Sequence, residues 1–182
     1  MLRGFPKHAK VKRPNLSFHG LSLVLERGRS TAKRVLVGSS PVTREIFEAR
    51  DMGYETSILE RVEKEYTGPN TASSGSETPG NYKRKRKVEQ AVDEILHLKI
   101  LESVLDYPPS TVVLASGDGA AGEYSQGFFK MIERCLIRGW AVEIVSFKRN
   151  LNGLYSQKAF TKKWEGKFRT VALDSFAEEL VD

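Results

Sequence analysis

Apolar positions along this chain recur with two periods, and the period switches several times. KRVLVGSS (Lys33–Ser40) is a short valine-rich run bounded by turn residues, which predicts a buried strand. PVTREIFEARDMG follows, with Thr43 at an N-cap position and Gly53 as a stop, which predicts a helix. YETSILER alternates and predicts a second strand. VEQAVDEILHLKILESVLD (Val88–Asp106) places Val88, Val92, Ile95 and Leu98 on one face at helical spacing. TVVLAS is a continuous apolar strand, QGFFKMIERCLIRG a helix closed by Gly139, and AVEIVSF the next strand. LNGLYSQKAF predicts a short helix and KFRTVALD the last strand. Ahead of all these lies a short amphipathic segment, Leu16–Arg29. Strands alternating with helices predict an α/β fold with a mainly parallel sheet between helical layers.

Two stretches break the pattern. Residues 1–15 are basic and aperiodic. Residues 63–87 are rich in Gly, Ser, Thr and Pro and end in KRKRK, and such a composition buries too little apolar surface to offset chain ordering. The expectation is one domain over residues 1–182 with a disordered insertion at 63–87. The KRKRK run at 83–87 reads as a weak nuclear address, a nucleic-acid patch or, more readily than either, a solvated charge run.

Bulk numbers narrow the class. A chain of 182 residues can bury one real core. Net charge of +6 mildly favours a polyanionic partner. A single cysteine, Cys135, excludes an internal disulfide and a cysteine-based zinc cluster, and favours an intracellular, cytoplasmic or nuclear setting. No long apolar run suggests a membrane span, and the amino terminus lacks the apolar core of a secretory signal.

The candidate chemistry centres on GDGAAG, Gly117–Gly122. Its glycines match a dinucleotide fingerprint, yet Asp118 would bring negative charge beside a pyrophosphate, and the motif falls late in the chain. In a parallel sheet, ligands sit beyond the carboxyl ends of the strands, where Asp118 is expected. Glu89 and Asp93, four apart on the predicted preceding helix, form a like-charge pair that a bound cation would relieve, and His97 continues the stripe. Carboxylates near a basic surface suit Mg²⁺- or Mn²⁺-assisted phosphodiester hydrolysis. Lys148, Arg149, Lys158, Lys162 and Lys163 cluster after the AVEIVSF strand and suit phosphate-backbone contacts. Trp140 and Trp164 could stack on bases, although Trp140 reads more readily as core; Tyr155 is expected to pack on the basic surface.

The order VEQAVD, TVVLASGD, a helix ending RGW, AVEIVSF and VALDSF resembles the NYN domain family of PIN-like nucleases. Glu89–Asp93 matches its E-K-x-V-D motif apart from Gln90, Ser116-Gly117-Asp118 matches S-G-D, and Leu173-Asp174 matches a closing L-D. RVLVGSSP and MGYETSILER look like the family's second and third strands, and GEYSQGF resembles a fungal subgroup. The resemblance spans roughly Leu16 to Leu180. It implies a Rossmann-like α/β/α sandwich and a Mg²⁺- or Mn²⁺-dependent endoribonuclease acting on single-stranded RNA. Asp93 and Asp118 would be catalytic metal ligands and Glu89 and Ser116 supporting residues; Glu123, the nearest acid to Ala120, is a candidate third metal ligand or a residue that favours the helix dipole. Two departures matter: the family's opening strand, which ends in an aspartate, has no counterpart before Leu16, and Ala120 stands where many members carry another acid. Loss of that strand would leave unpaired strand edges. A module that binds RNA or protein with weak or no catalysis is the alternative, and a nucleotide-binding Rossmann-like domain a further one.

Overall fold

The computed structural model describes residues 15–67, 83–120 and 126–181. Helix α1 is Phe18–Glu26; strand β1 is Val35–Ser39, helix α2 Arg44–Asp51 and strand β2 Glu55–Leu59. A hairpin of β3 (Val62–Thr67) and β4 (Lys83–Val88) follows, then α3 (Val92–Asp106), β5 (Thr111–Leu114), α4 (Gly127–Ile137), β6 (Ala141–Ser146), α5 (Lys158–Lys163) and β7 (Phe168–Ala172). The chain is a mixed α/β protein with parallel sheets.

Among the described residues the strands form three separate sheets. β1 and β2 are parallel, with Val35 opposite Glu55 and Ser39 opposite Leu59. β5, β6 and β7 are parallel in that spatial order. The third sheet is the antiparallel β3–β4 hairpin.

β6, paired on both edges, is the buried centre of its sheet. Side chains alternate across a strand, so Val142 and Ile144 face α4 while Val145 faces α1. On the α4 side, Phe128, Met131, Ile132, Cys135 and Leu136 repeat at helical spacing and fill the main core with Ile100, Tyr155 and Phe160. On the other side, Val24, Leu173 and Leu180 close over Val145. Glu143 lies on this second face and is buried. It accepts hydrogen bonds from Arg27, from Arg29 at 3.0 Å and from Arg169 Nε at 2.9 Å, which tie the end of α1 to β6 and β7. A buried carboxylate is tolerated only with such partners.

Two helices link the β1–β2 pair to the larger sheet. α1 meets the first pair through Phe18 against Tyr54 (5.2 Å between centroids), Ser22 to Tyr54 at 2.7 Å, and Glu26 to Arg34 at 2.6 Å. α3 packs on β1 and α4 and contributes Ile100 to the main core. A lysine–glutamate group at its far end, Lys33, Glu55, Lys99 and Glu102, fastens it to the starts of β1 and β2.

The structure differs from the sequence reading in several places. Residues 63–67 and 83–87, expected to be irregular, are strands. Glu63 lies opposite Lys87 and Glu65 opposite Lys85, so opposite charges across the ladder favour pairing that composition alone does not reveal. The remainder of the proposed insertion lies outside the described residues. Helix α3 begins at Val92, not Val88: Ala91 adopts a left-handed φ of 63° and breaks the chain between β4 and the helix. Its inward face is carried by His97 and Ile100, whereas Leu98 is exposed. Among the described residues, no helix is long and apolar enough to cross a membrane.

Candidate functional site

The site is built where β1 and β5 end and α3 begins. Beyond β5 the chain enters a glycine loop fastened to the segment after β6. Gly117 packs so closely that a Cβ there would collide with the Asn150 carbonyl and Ser146 Oγ, so only glycine fits without rearrangement. Its carbonyl accepts from the Asn152 amide at 2.8 Å. Tyr155, fully buried rather than on the basic surface, donates to the Asp118 carbonyl at 2.7 Å. Ser116 Oγ accepts from the Asp118 amide at 3.2 Å, and Asp118 Oδ1 accepts from the Ala120 amide at 2.8 Å. The loop backbone is thereby fixed from three sides with the Asp118 carboxylate at the surface.

Asp93 occupies the first turn of α3, where helix amides favour negative charge. Partial burial nevertheless raises its carboxyl above the ordinary aspartate range, and the charges of Asp118, Glu94 and Glu89 push it in the same direction; His97 opposes them. The Asp118 charge is the largest of the three.

Glu89 is not on the helix, because the left-handed turn at Ala91 intervenes. It accepts from Ser39 Oγ at 2.6 Å and from Arg61 at 3.0 Å. The Ser39 hydrogen bond, followed by that of Arg61, holds its carboxyl below the ordinary glutamate range. The expected Glu89–Asp93 repulsion along one helix face is therefore replaced by a Ser39–Arg61–Glu89 group at the end of β1. His97 is buried edge-on against Phe128 at 4.3 Å, and its Nε2 has no hydrogen-bond partner. Burial lowers its imidazolium pKa and so disfavours the charged form.

Glu123 lies outside the described residues. Among the described residues, no three of His, Cys, Asp or Glu gather closely enough to hold a metal ion together. Asp93 on α3 and Asp118 in the glycine loop are the described members of the expected ligand set.

Lys148, Arg149, Lys158, Lys162 and Lys163 are all exposed on the segment between β6 and β7. The Lys148 amide donates to Asp174 at 2.8 Å; that bond, with the charges of Lys148 and Arg149, keeps the Asp174 carboxyl low. Trp140 is buried and beyond the reach of a base. Trp164 packs against the main core, with the Lys163 ammonium 4.9 Å from its ring. A cleft of about 510 Å³ opens between Asp118 and Asn152 on one side and Leu16, Leu21 and Leu180 on the other.

Two glycines of GDGAAG, Gly117 and Gly119, are committed to packing, and Gly122 lies outside the described residues. Gly117 meets Asn150, Gly119 meets Asn152 and Tyr155, and α4 starts only at Gly127. A pyrophosphate cradle needs those glycines open and leading straight into a helix. Sequence reasoning did not reach Tyr155, Asn152 or Arg61 as site residues. Asn152-Gly153 carries a turn signal, and Asn152 does cap the next turn by accepting from the Leu154 amide at 3.0 Å. Nothing local marks Tyr155 or Arg61, whose partners lie on distant segments. Comparison of the chain with protein-family models, curated proteins and solved structures finds no match.

Proposed function

We propose that this chain is a PIN-like domain of NYN type, built as a Rossmann-like α/β/α sandwich, that cleaves single-stranded RNA with a Mg²⁺ or Mn²⁺ held by Asp93 and Asp118. The reading rests on the placement of Asp93 in the first turn of α3 and of Asp118 just past the carboxyl end of β5 in a parallel sheet, with Asp118 among the charges that raise the Asp93 carboxyl. A divalent ion bound there would activate water and neutralise charge on a phosphate. The chain's own residues supply position and charge. Ser116, Tyr155 and Gly117 fix the Asp118 backbone, and α3 presents Asp93. Lys148, Arg149, Lys158 and Lys162 offer sequence-independent contacts to the phosphate backbone.

A second reading, an RNA- or protein-binding module with little or no catalysis, is favoured by one observation: among the described residues, no three of His, Cys, Asp or Glu gather closely enough to hold a metal ion. Incubating the 182-residue chain with single-stranded RNA and Mn²⁺ separates the two. Cleavage abolished by Asp118→Asn supports the nuclease. Salt-sensitive RNA binding without cleavage selects the binding module, and neither binding nor cleavage removes both.

A further inference from the structure

The β3–β4 hairpin is the part of the fold that the proposed chemistry leaves unused. Its strands, VEKEYT and KRKRKV, carry six bases against two acids, a net charge of +4. The stretch that joins them, residues 68–82, adds one charged residue, Glu77. Residues 62–65 and 85–87 are all exposed, and the two strands find their main packing in one another. Among the described residues, Lys85 makes an ion pair with Glu63 at 3.5 Å, and the Arg86 and Lys87 side chains make none. Two carboxylates leave most of this charge uncompensated, and an exposed pair of that kind contributes little.

The hairpin is rooted beside the aspartate site. Arg61, just before β3, donates to Ser39 Oγ at 3.1 Å and to Glu89 at 3.0 Å, and Ser40 Oγ donates to Glu60 at 3.0 Å. Glu89, just after β4, accepts from Ser39 at 2.6 Å. Both ends of the ribbon are thereby fastened to the carboxyl end of β1, and the chain then runs from Glu89 into the first turn of α3 and Asp93. Side chains alternate across a strand, so Lys85 and Lys87 fall on one face of the ribbon and Arg86 on the other. The aliphatic cross-strand pair, Val62 opposite Val88, lies at the root. A protein interface has an apolar centre, and a membrane-surface element has an apolar face. A ribbon with cations on both faces and aliphatic residues only at its base offers neither. It fits a row of phosphates, which needs positive charge and no apolar contact.

We propose that the β3–β4 hairpin is a second nucleic-acid-binding element, an arm whose Lys85, Arg86 and Lys87 hold the phosphate backbone of single-stranded RNA beside Asp93. The proposal rests on RNA as the ligand of the aspartate site, and not on its cleavage. The arm is distinct from the basic segment between β6 and β7. That segment packs on the Asp118 loop through Asn150 and Asn152, whereas the arm is rooted next to Asp93. One RNA strand in contact with both would pass the two aspartates.

Fluorescence anisotropy of a labelled oligouridine, titrated with the intact 182-residue chain in EDTA so that no metal-dependent cleavage occurs, tests this. Lys85→Gln combined with Arg86→Gln and Lys87→Gln is expected to weaken binding roughly tenfold and to make the slope of log affinity against log salt shallower by about 2, at about 0.7 per lost phosphate contact. Amide exchange across β3 and β4 reports whether the triple variant keeps the hairpin. If it does not, Arg86→Gln alone carries the test, with a slope change of about 0.7. Unchanged affinity and slope in a variant that keeps the hairpin would overturn the proposal. So would displacement of the RNA by an oligoglutamate of equal charge at equal concentration, which would mark an acidic peptide as the ligand. The nuclease reading fails separately. Weakened binding in the triple variant, with no Mn²⁺-dependent cleavage by the wild type, removes the nuclease and keeps the arm. Cleavage that depends on Asp118, with binding intact in the triple variant, removes the arm alone.

Discussion

Tyr155 Oη donates a 2.7 Å hydrogen bond to the carbonyl oxygen of Asp118, although 37 positions separate the two residues. The phenol is buried against Phe129 and Phe168, and burial pushes its pKa far upward, with the Asp118 charge adding to the effect. It therefore remains a donor throughout the neutral range. Tyr155→Phe keeps the ring and removes the bond. The expected loss is about 1 kcal/mol in urea unfolding. If the aspartate loop serves the metal, Mn²⁺ affinity measured by calorimetry falls as well. The raised pKa also sets a sign: this contribution is complete below the ordinary tyrosine pKa and disappears as pH rises through the higher folded value. An alkaline stability series on wild type and variant checks that order.

Asp93 gives the opposite kind of linkage to a paired acid. Its folded pKa is raised, so the protonated form is favoured, and stability declines as pH rises from the ordinary aspartate pKa through the folded one. Asp118→Asn removes the largest charge acting on it. In metal-free buffer the variant is expected to be the more stable protein at neutral pH, with the gap closing toward acid pH. Added Mn²⁺ should reverse the order by stabilising only the wild type. Thermal melts from acid to neutral pH, with and without Mn²⁺, test both halves.

Much of this arrangement was legible in the residues, and the failures have physical causes. β1, β2, β5, α4, β6 and β7 fall where apolar runs, glycine stops and turn residues place them, because burial on both faces of a parallel strand leaves a continuous apolar signature. The start of α3 did not, because EQAV carries good helix formers and only the left-handed Ala91 interrupts them. The β3–β4 hairpin escaped notice because cross-strand charge pairing links residues on either side of a long polar stretch, and composition is blind to such pairing. Asp118 could be placed on the rim from strand order alone, whereas the Tyr155 and Asn152 contacts that fix it depend on tertiary approach. Glu89 kept its place near the rim but changed partners, from Asp93 to Ser39 and Arg61.

Ala91 holds φ at 63° without glycine's freedom and without a side-chain cap on α3. A left-handed L-residue costs about 1–2 kcal/mol. Ala91→Gly is expected to raise stability by roughly 0.5–1 kcal/mol once the greater freedom of the unfolded chain is set against that relief. A chemical-denaturation midpoint that drops would show that the Ala91 methyl group makes contacts outweighing the strain.

Two glycines in the aspartate loop predict different outcomes. A Cβ at Gly117 collides with backbone, the Asn150 carbonyl, while one at Gly119 meets the Asn152 side chain at 3.2 Å, which can give way. Gly117→Ala should destabilise by about 1–3 kcal/mol, and Gly119→Ala by clearly less. Paired urea titrations of the two variants decide it.

Charge reversal on the exposed basic segment bears on partner choice. Lys158→Glu with Lys162→Glu lies on the solvent side of α5, away from the core anchor Phe160. Folding should be little changed, while single-stranded RNA affinity drops and the slope of log affinity against log salt becomes shallower by about 0.7 per lost phosphate contact. An unchanged slope would place the RNA elsewhere.

The break in the sheet also bears on how the molecule comes apart. No backbone ladder among the described residues carries cooperativity from β1 to β5, and the lysine–glutamate group together with the Tyr54 and Arg34 contacts must transmit it through side chains alone. Such a seam divides the protein into two unequal foldons. The β1–β2 lobe should open at lower free energy than β5–β6–β7, and raised ionic strength, by weakening its charged fastenings, should widen the difference between them.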